Sequence, residues 1–253
     1  MSYRTALTRV LDDVVAPGAE VVRTRGVFPR RAVTALGRAG LLGLTVSAGS
    51  GGAGLGLAEA AAVLARTTEV CPATTAVLRS HYAAVAVVES YGGPWLRGEI
   101  GAGRHLCSLA LAEDGEGEPG VGLGLLTPHA TAERRGEVVA LSARKHHVVA
   151  AGEADTYLWS TRPYAAPDGL SLWAVPAYAP DLYVPSGAGS SGPRGSGMST
   201  VCADPVLVPA DVMLGEDGEG LDILLRTVLP WLFELRGTDR VAAGGGGLTP
   251  ARL

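Results

Sequence analysis

The sequence predicts an α+β protein: an N-terminal helical domain over residues 1–104, a middle β-barrel domain over 105–214, and a helical segment over 215–253. Three observations predict it. The first hundred residues carry apolar side chains at helical spacing between Gly and Pro stops. The next hundred carry short β-branched or aromatic runs at regular intervals, separated by turn residues. Residues 221–243 then return to a helical pattern.

In chain order, residues 6–15 form a short amphipathic stretch expected to end at Pro17-Gly18. Pro29 stands at a helix start, followed by Ala32, Val33, Leu36 and Leu41, with Gly40 and Gly43 as stop signals. Residues 57–70 are Ala- and Leu-rich, and Pro72 ends that helix. Residues 75–91 form another helix, stopped by Gly92-Gly93-Pro94, and 95–100 a short one. The strand expectations are 106–112, 137–142, 146–150, 157–161, 170–175 and 201–208, with a Gly/Ser-rich loop at 187–197 and a turn at 214–220. The last helix, 221–243, should kink at Pro230 and break at Gly244 to Gly247.

Composition narrows the function classes. The 253 residues carry a net charge of −4, and Lys145 is the single lysine among 21 basic residues. With no basic stripe and only 5% aromatics, a nucleic-acid partner is not expected. No apolar run reaches about 18 residues, so no membrane span is expected. No signal-peptide pattern opens the chain, and a cytoplasmic location is expected. Cys71, Cys107 and Cys202 are scattered, which argues against a disulfide framework and against a metal site.

Gly49-Ser50-Gly51-Gly52-Ala53-Gly54 fits the glycine spacing of a dinucleotide-binding turn. That turn needs a second parallel strand after its helix. Cys71-Pro72 leads into another helix instead, so these glycines are read as a loop between helices.

Four blocks carry a family resemblance. Phe28-Pro29, then Leu36-Gly37 with Gly40-Leu41-Leu42-Gly43-Leu44, then Gly51-Gly52-Ala53-Gly54-Leu55, form the first. Leu109-Ala110-Leu111-Ala112-Glu113 is the second, and Ser142-Ala143-Arg144-Lys145 with Ala154-Asp155 the third. Arg194-Gly195-Ser196, Val208-Pro209-Ala210 and Leu214-Gly215-Glu216 with Gly220 form the fourth. In this order the chain resembles the acyl-CoA dehydrogenase family. The resemblance implies a helical domain, a β-domain and a remnant of the C-terminal helical bundle. It also implies FAD between the β-domain and that bundle, with a glutamate from the bundle as the base. The sequence is expected to stop after the bundle's first helix, so that base is not expected within it.

The resemblance also marks departures. The family's flavin-contacting Thr of the second block is Ala112 here, and the Trp and Thr that cover the flavin ring align with His147 and Val149. Glu118 aligns with a pyrophosphate-binding Ser, where a carboxylate would repel phosphate. Arg194 matches a family Arg near the flavin and substrate. On these grounds no cofactor is expected, with FAD as the alternative. His147 is a candidate acid–base group near neutral pH, or a filler of the space a Trp left. Glu113 and Asp114 form an acidic pair, read as a solvated turn or as a proton-transfer pair. His81 is read as a satisfied core or interface histidine. The expected function is non-redox catalysis (cyclisation, isomerisation or elimination) on a small hydrophobic, polyketide-like or acyl-type substrate. The alternatives are an FAD-dependent dehydrogenase subunit completed by another chain and a non-catalytic interaction partner. A homodimer, or a heteromer with a dehydrogenase homologue, is expected because helices 57–70, 75–91 and 221–243 should leave apolar faces uncovered.

Overall fold

The computed structural model describes residues 2–113, 128–186 and 192–243, the last seven of these through their backbone alone. The chain opens with α1 (Tyr3–Val10), a π-helical turn (Leu11–Val15) and α2 (Ala16–Arg25), continuous with one another. The helix therefore passes through Pro17-Gly18, where the sequence predicts a stop. Proline lacks an N–H and its ring crowds the carbonyl four residues back. A wider π-turn just upstream absorbs that misfit. The same device recurs at the other end of the chain, where a π-turn (Leu224–Val228) joins α7 (Gly220–Ile223) to α8 (Leu229–Ala243) just before Pro230.

Between these ends lie α3 (Arg30–Arg38), α4 (Leu57–Val70), α5 (Pro72–Tyr91) and α6 (Pro94–Gly101). Gly37 and Gly103 let two loops meet: a Cβ on Gly37 would sit 2.2 Å from the Gly103 carbonyl oxygen. The glycine segment 49–54 opens within a short 3-10 turn (Ala48–Ser50). Its N–H groups bond inward: Gly52 to the Ser47 carbonyl, Ala53 to Gly43 and Gly54 to Val46. Those donors face the chain's own carbonyls instead of forming a phosphate cradle.

From Pro72 to Tyr91, α5 is apolar almost all round, and every residue from Ala73 to Val88 except Arg79 is buried. A helix of that kind needs cover on all sides. It packs against α4, α6 and α8 and against the first strand of the β-domain. The long helices therefore cover one another, correcting the expectation of uncovered faces along 75–91. Arg79 Nε also donates to the Leu235 carbonyl of α8 at 3.3 Å. Among the described residues of the final helical segment, the large apolar side chains that stay exposed are Leu225 and Phe233.

The middle domain is two four-stranded sheets sharing a core. One orders β1 (Cys107–Ala110), β4 (Thr156–Thr161), β5 (Ser171–Pro176) and β8 (Met213–Leu214), with β1 and β4 parallel. The other orders β2 (Thr131–Arg135), β3 (Val138–Val148), β7 (Ser199–Pro209) and β6 (Leu182–Tyr183). The two runs predicted at 137–142 and 146–150 belong largely to the single strand β3. Trp159 and Trp173 face each other across β4 and β5, both fully buried. No helix among the described residues is long and apolar enough to cross a membrane.

Candidate functional site

The site is built where α5 meets β1. As the edge of its sheet, β1 has one row of N–H groups that no strand can satisfy. Two neighbouring side chains of α5 take them. The Cys107 N–H donates to His81 Nδ1 at 3.1 Å, and the Leu109 N–H donates to Ser80 Oγ at 2.9 Å. These two donors are two residues apart, so the strand's alternation points both at the helix. Because Nδ1 accepts, His81 Nε2 carries the proton and donates to the Leu42 carbonyl at 2.9 Å. Burial pushes the His81 pKa down to about 4, so the ring is neutral. Ser80 and Ser108 are 2.9 Å apart, and Ser108 donates to the Val149 carbonyl at 2.5 Å. A hydroxyl relay thus runs from α5 through β1 to the end of β3.

Beyond β1 the chain reaches Glu113. Its carboxylate is not a solvated turn group: its side chain is 6% exposed and ion-pairs with the fully buried Lys145 of β3. The other carboxylate oxygen accepts the His129 N–H at 2.6 Å and the Ala130 N–H at 2.9 Å. Lys145 Nζ also donates to Ser160 Oγ at 2.9 Å and lies 5.6 Å from the Trp159 ring centroid. Burial pushes the lysine pKa down to about 8, against the pull of Glu113. Residues of three segments are thereby fixed around one charge pair. The carboxylate holds Lys145 and the 129–130 backbone.

Simple alternation along β3 predicts that His146 and His147 face opposite sides. The strand instead slips register between Lys145 and Val148, and His147 adopts φ 54°. That left-handed geometry is uncommon outside glycine, though histidine tolerates it better than most residues. His147 is exposed on this bulge, while His146 is partly buried. The His146 N–H donates to the Ala112 carbonyl at 2.8 Å, and its Nδ1 lies 3.1 Å from Thr200 Oγ1. With Glu113, His129, Ser142 and Arg144, His146 lines an open cavity of about 270 Å³.

The structure therefore groups Ala112, Glu113 and His146, with Val149 tied to the adjacent serine relay. It does not bring Arg194 to them: Arg194 is exposed and lies against Gly26 at the end of α2. Asp114 and Glu118 lie outside the described residues. Among the described residues, no cluster of three His, Cys, Asp or Glu side chains could hold a metal ion. Ser80 carries no local sequence signal of its role, because its partners are 28 and 29 residues away.

Comparisons with known proteins agree with this architecture. Residues 2–100 match the acyl-CoA dehydrogenase N-terminal domain family. Cyclohex-1-ene-1-carbonyl-CoA dehydrogenase of Geobacter metallireducens is 27% identical over 222 residues, covering 85% of this chain and 57% of its own. A probable acyl-CoA dehydrogenase from Mycobacterium abscessus superposes with a TM-score of 0.76 at 21% identity, covering 98% of this chain and 70% of its own. A nitrososynthase from Micromonospora carbonacea var. africana superposes at 0.75 with 22% identity, covering 98% and 67%. The chain spans about half the length of the curated relatives it matches. With residues 2–100 matching that N-terminal domain family and the solved structures superposing through the middle domain, the chain has the acyl-CoA dehydrogenase fold over its N-terminal and middle domains.

Proposed function

We propose that this protein is a non-redox catalyst on the acyl-CoA dehydrogenase scaffold, one that moves protons on an acyl-thioester or polyketide-like substrate in bacterial specialised metabolism. Cyclisation, isomerisation and elimination are the reaction types that fit. The observation that carries the reading is the pair Ala112 and Val149. The family resemblance puts flavin-binding hydroxyls at both positions, and both are aliphatic here. Their carbonyls are also engaged, Ala112 with the His146 N–H and Val149 with the Ser108 hydroxyl. Each lost polar contact weakens binding by about 1–3 kcal/mol. On this basis the described residues fit a flavin poorly, and no step is assigned to one.

The chemistry then falls to an imidazole. His147 is exposed on the bulge, accessible to a ligand, and a histidine near neutral pH can both take and return a proton. His146 lines the neighbouring cavity. Glu113 serves as a positioning residue, since Lys145 and two backbone N–H groups hold it. The resemblance to a nitrososynthase supports the idea that this fold accommodates chemistry other than dehydrogenation.

A second reading concerns assembly. Leu225 is 48% exposed and Phe233 is 59% exposed on the final helical segment. Apolar exposure of that kind supports a homodimer or a heteromer with a dehydrogenase homologue, and the heteromer would return a dehydrogenase function to the complex.

The test uses the purified chain incubated with excess FAD and desalted. A colourless protein that catalyses solvent deuterium exchange at the α-carbon of a short-chain acyl-CoA supports the proposal. His147→Ala should then slow exchange at least about tenfold, in the range of a lost general base. Stoichiometric retention of flavin, or an exchange rate unchanged in both His147→Ala and His146→Ala, overturns it. Native mass in the same preparation separates monomer, homodimer and heteromer.

A further inference from the structure

A groove between α1 and α3 has a composition that the proposed chemistry does not use. Its floor is Ala6, Val10 and Val14 on one helix and Ala35 and Ala39 on the other, each set four residues apart. That spacing lays a strip of small apolar side chains along each helix. Its rim is Arg9 on α1 and Arg30, Arg31 and Arg38 on α3. The groove is open to solvent and about 570 Å³ in volume, and no acidic residue lines it. Arg30 pairs with Glu153. Among the described residues, Arg9, Arg31 and Arg38 appear in no ion pair or side-chain hydrogen bond, and all three are exposed. Asp12 and Asp13, in the π-turn that follows α1, line a separate surface hollow with Arg9, and Asp13 also borders an apolar cavity reached by Arg30 and Arg31. A chain with net charge −4 thus concentrates a local positive rim over a small-residue floor.

We infer that this groove docks an acidic amphipathic helix of a partner protein, apolar face down and carboxylates against Arg9, Arg31 and Arg38. A floor of small apolar side chains spaced four residues apart on two adjacent helices suits the apolar stripe of a helix, recognised through residues at i, i+3, i+4 and i+7. Arginine forks suit carboxylates on both flanks and set the partner's orientation. A small polyanion would use the arginines but leave the apolar floor without a role.

The experiment titrates the full chain with a fluorescent helical peptide of about 15 residues, Leu on one face and Glu on the other. The same peptide with Lys in place of Glu is the control. Expected are saturable binding of the Glu peptide only, weakening as ionic strength rises to about 0.15 M, and at least a tenfold loss in the double variant Arg31→Glu/Arg38→Glu. Arg23→Glu, on α2 and paired with Glu20, should bind normally. Because the altered side chains are exposed, unchanged circular dichroism and melting confirm the fold. Ala35→Leu, which fills the floor and keeps the charges, should also weaken binding. Failure of the Glu peptide to bind, equal binding of the Lys peptide, or indifference to the double variant overturns the inference. So does tight binding of inorganic pyrophosphate that is lost in the double variant while the peptide does not bind, which would make the rim a small-anion site.

Discussion

His81 and Lys145 are both fully buried basic side chains, and the protein treats them in opposite ways. His81, in the helical layer, is kept neutral and its two ring nitrogens bond backbone groups. Lys145, in the β-domain, is kept as half of an ion pair with Glu113. The histidine needs no counter-charge because its neutral ring presents one donor and one acceptor, which match one carbonyl and one N–H. An ammonium has three donors and no acceptor, so it must be matched by oxygen atoms, here from Glu113 and Ser160. The first arrangement fails when a proton is added, the second when a partner is removed.

The largest effect follows from that second failure. Glu113→Gln leaves the ammonium buried beside a neutral amide and should lower unfolding free energy by about 3–5 kcal/mol. The double variant Glu113→Gln/Lys145→Met removes both charges and should recover at least half of the loss. Urea unfolding of the two single variants and the double variant measures this. Additive losses would show that the pair is not the unit of stability.

This contrast also marks where sequence reasoning reached and where it stopped. Helix 57–70 was fully legible because its apolar period and its following Pro72 are local signals. The π-turns before Pro17 and Pro230 were not, since a π-turn keeps nearly the same apolar rhythm as the helix around it. Strand β2 reads TAERR, mostly exposed, and shows no alternation of its own; pairing with β3 makes it a strand. Glu113 reads in sequence as a solvated turn residue or half of a proton-transfer pair because its partner is 32 positions away. The His146–His147 bulge depends on register against β7 and has no signature in the two residues themselves. His81 was legible as a core histidine, but its bonds to Cys107 and Leu42 required the fold.

The pH dependence tests the neutral arrangement. His81 has a folded pKa of about 4, below its ordinary value of 6.5, so the unfolded chain binds more protons between those two values. Its contribution is therefore fully present above about 6.5 and is lost as pH falls toward 4. The shift corresponds to roughly 3 kcal/mol. His105, also lowered by burial, adds to the same acid limb with the same sign. Stability measured by urea unfolding across this range should fall with acid, and His81→Gln should remove the larger part of the slope. An unchanged slope in that variant would place the acid sensitivity elsewhere.

The smallest expected effect comes from a carboxylate that lies between the two extremes. Asp217 is only partly buried, yet it accepts the N–H groups of Tyr164, Ala165 and Ala166 and the Ser171 hydroxyl. Burial alone would raise its pKa, but the Ser171 hydroxyl and the backbone donors outweigh that and hold it below the usual carboxylate range. It ties the β4–β5 loop to the turn that leads into α7. Unlike Lys145, it carries no buried counter-charge, so removing its charge strands nothing in the core. Asp217→Asn should therefore lower stability by about 1–2 kcal/mol. The loss should appear locally, as faster amide hydrogen exchange at Ala165 and Ala166, with exchange in β3 and β7 unchanged relative to global stability. Equal acceleration across β3 and β7 would mean that this latch is coupled to the core pair rather than separate from it, and the distinction between surface and buried carboxylates in this fold would fail.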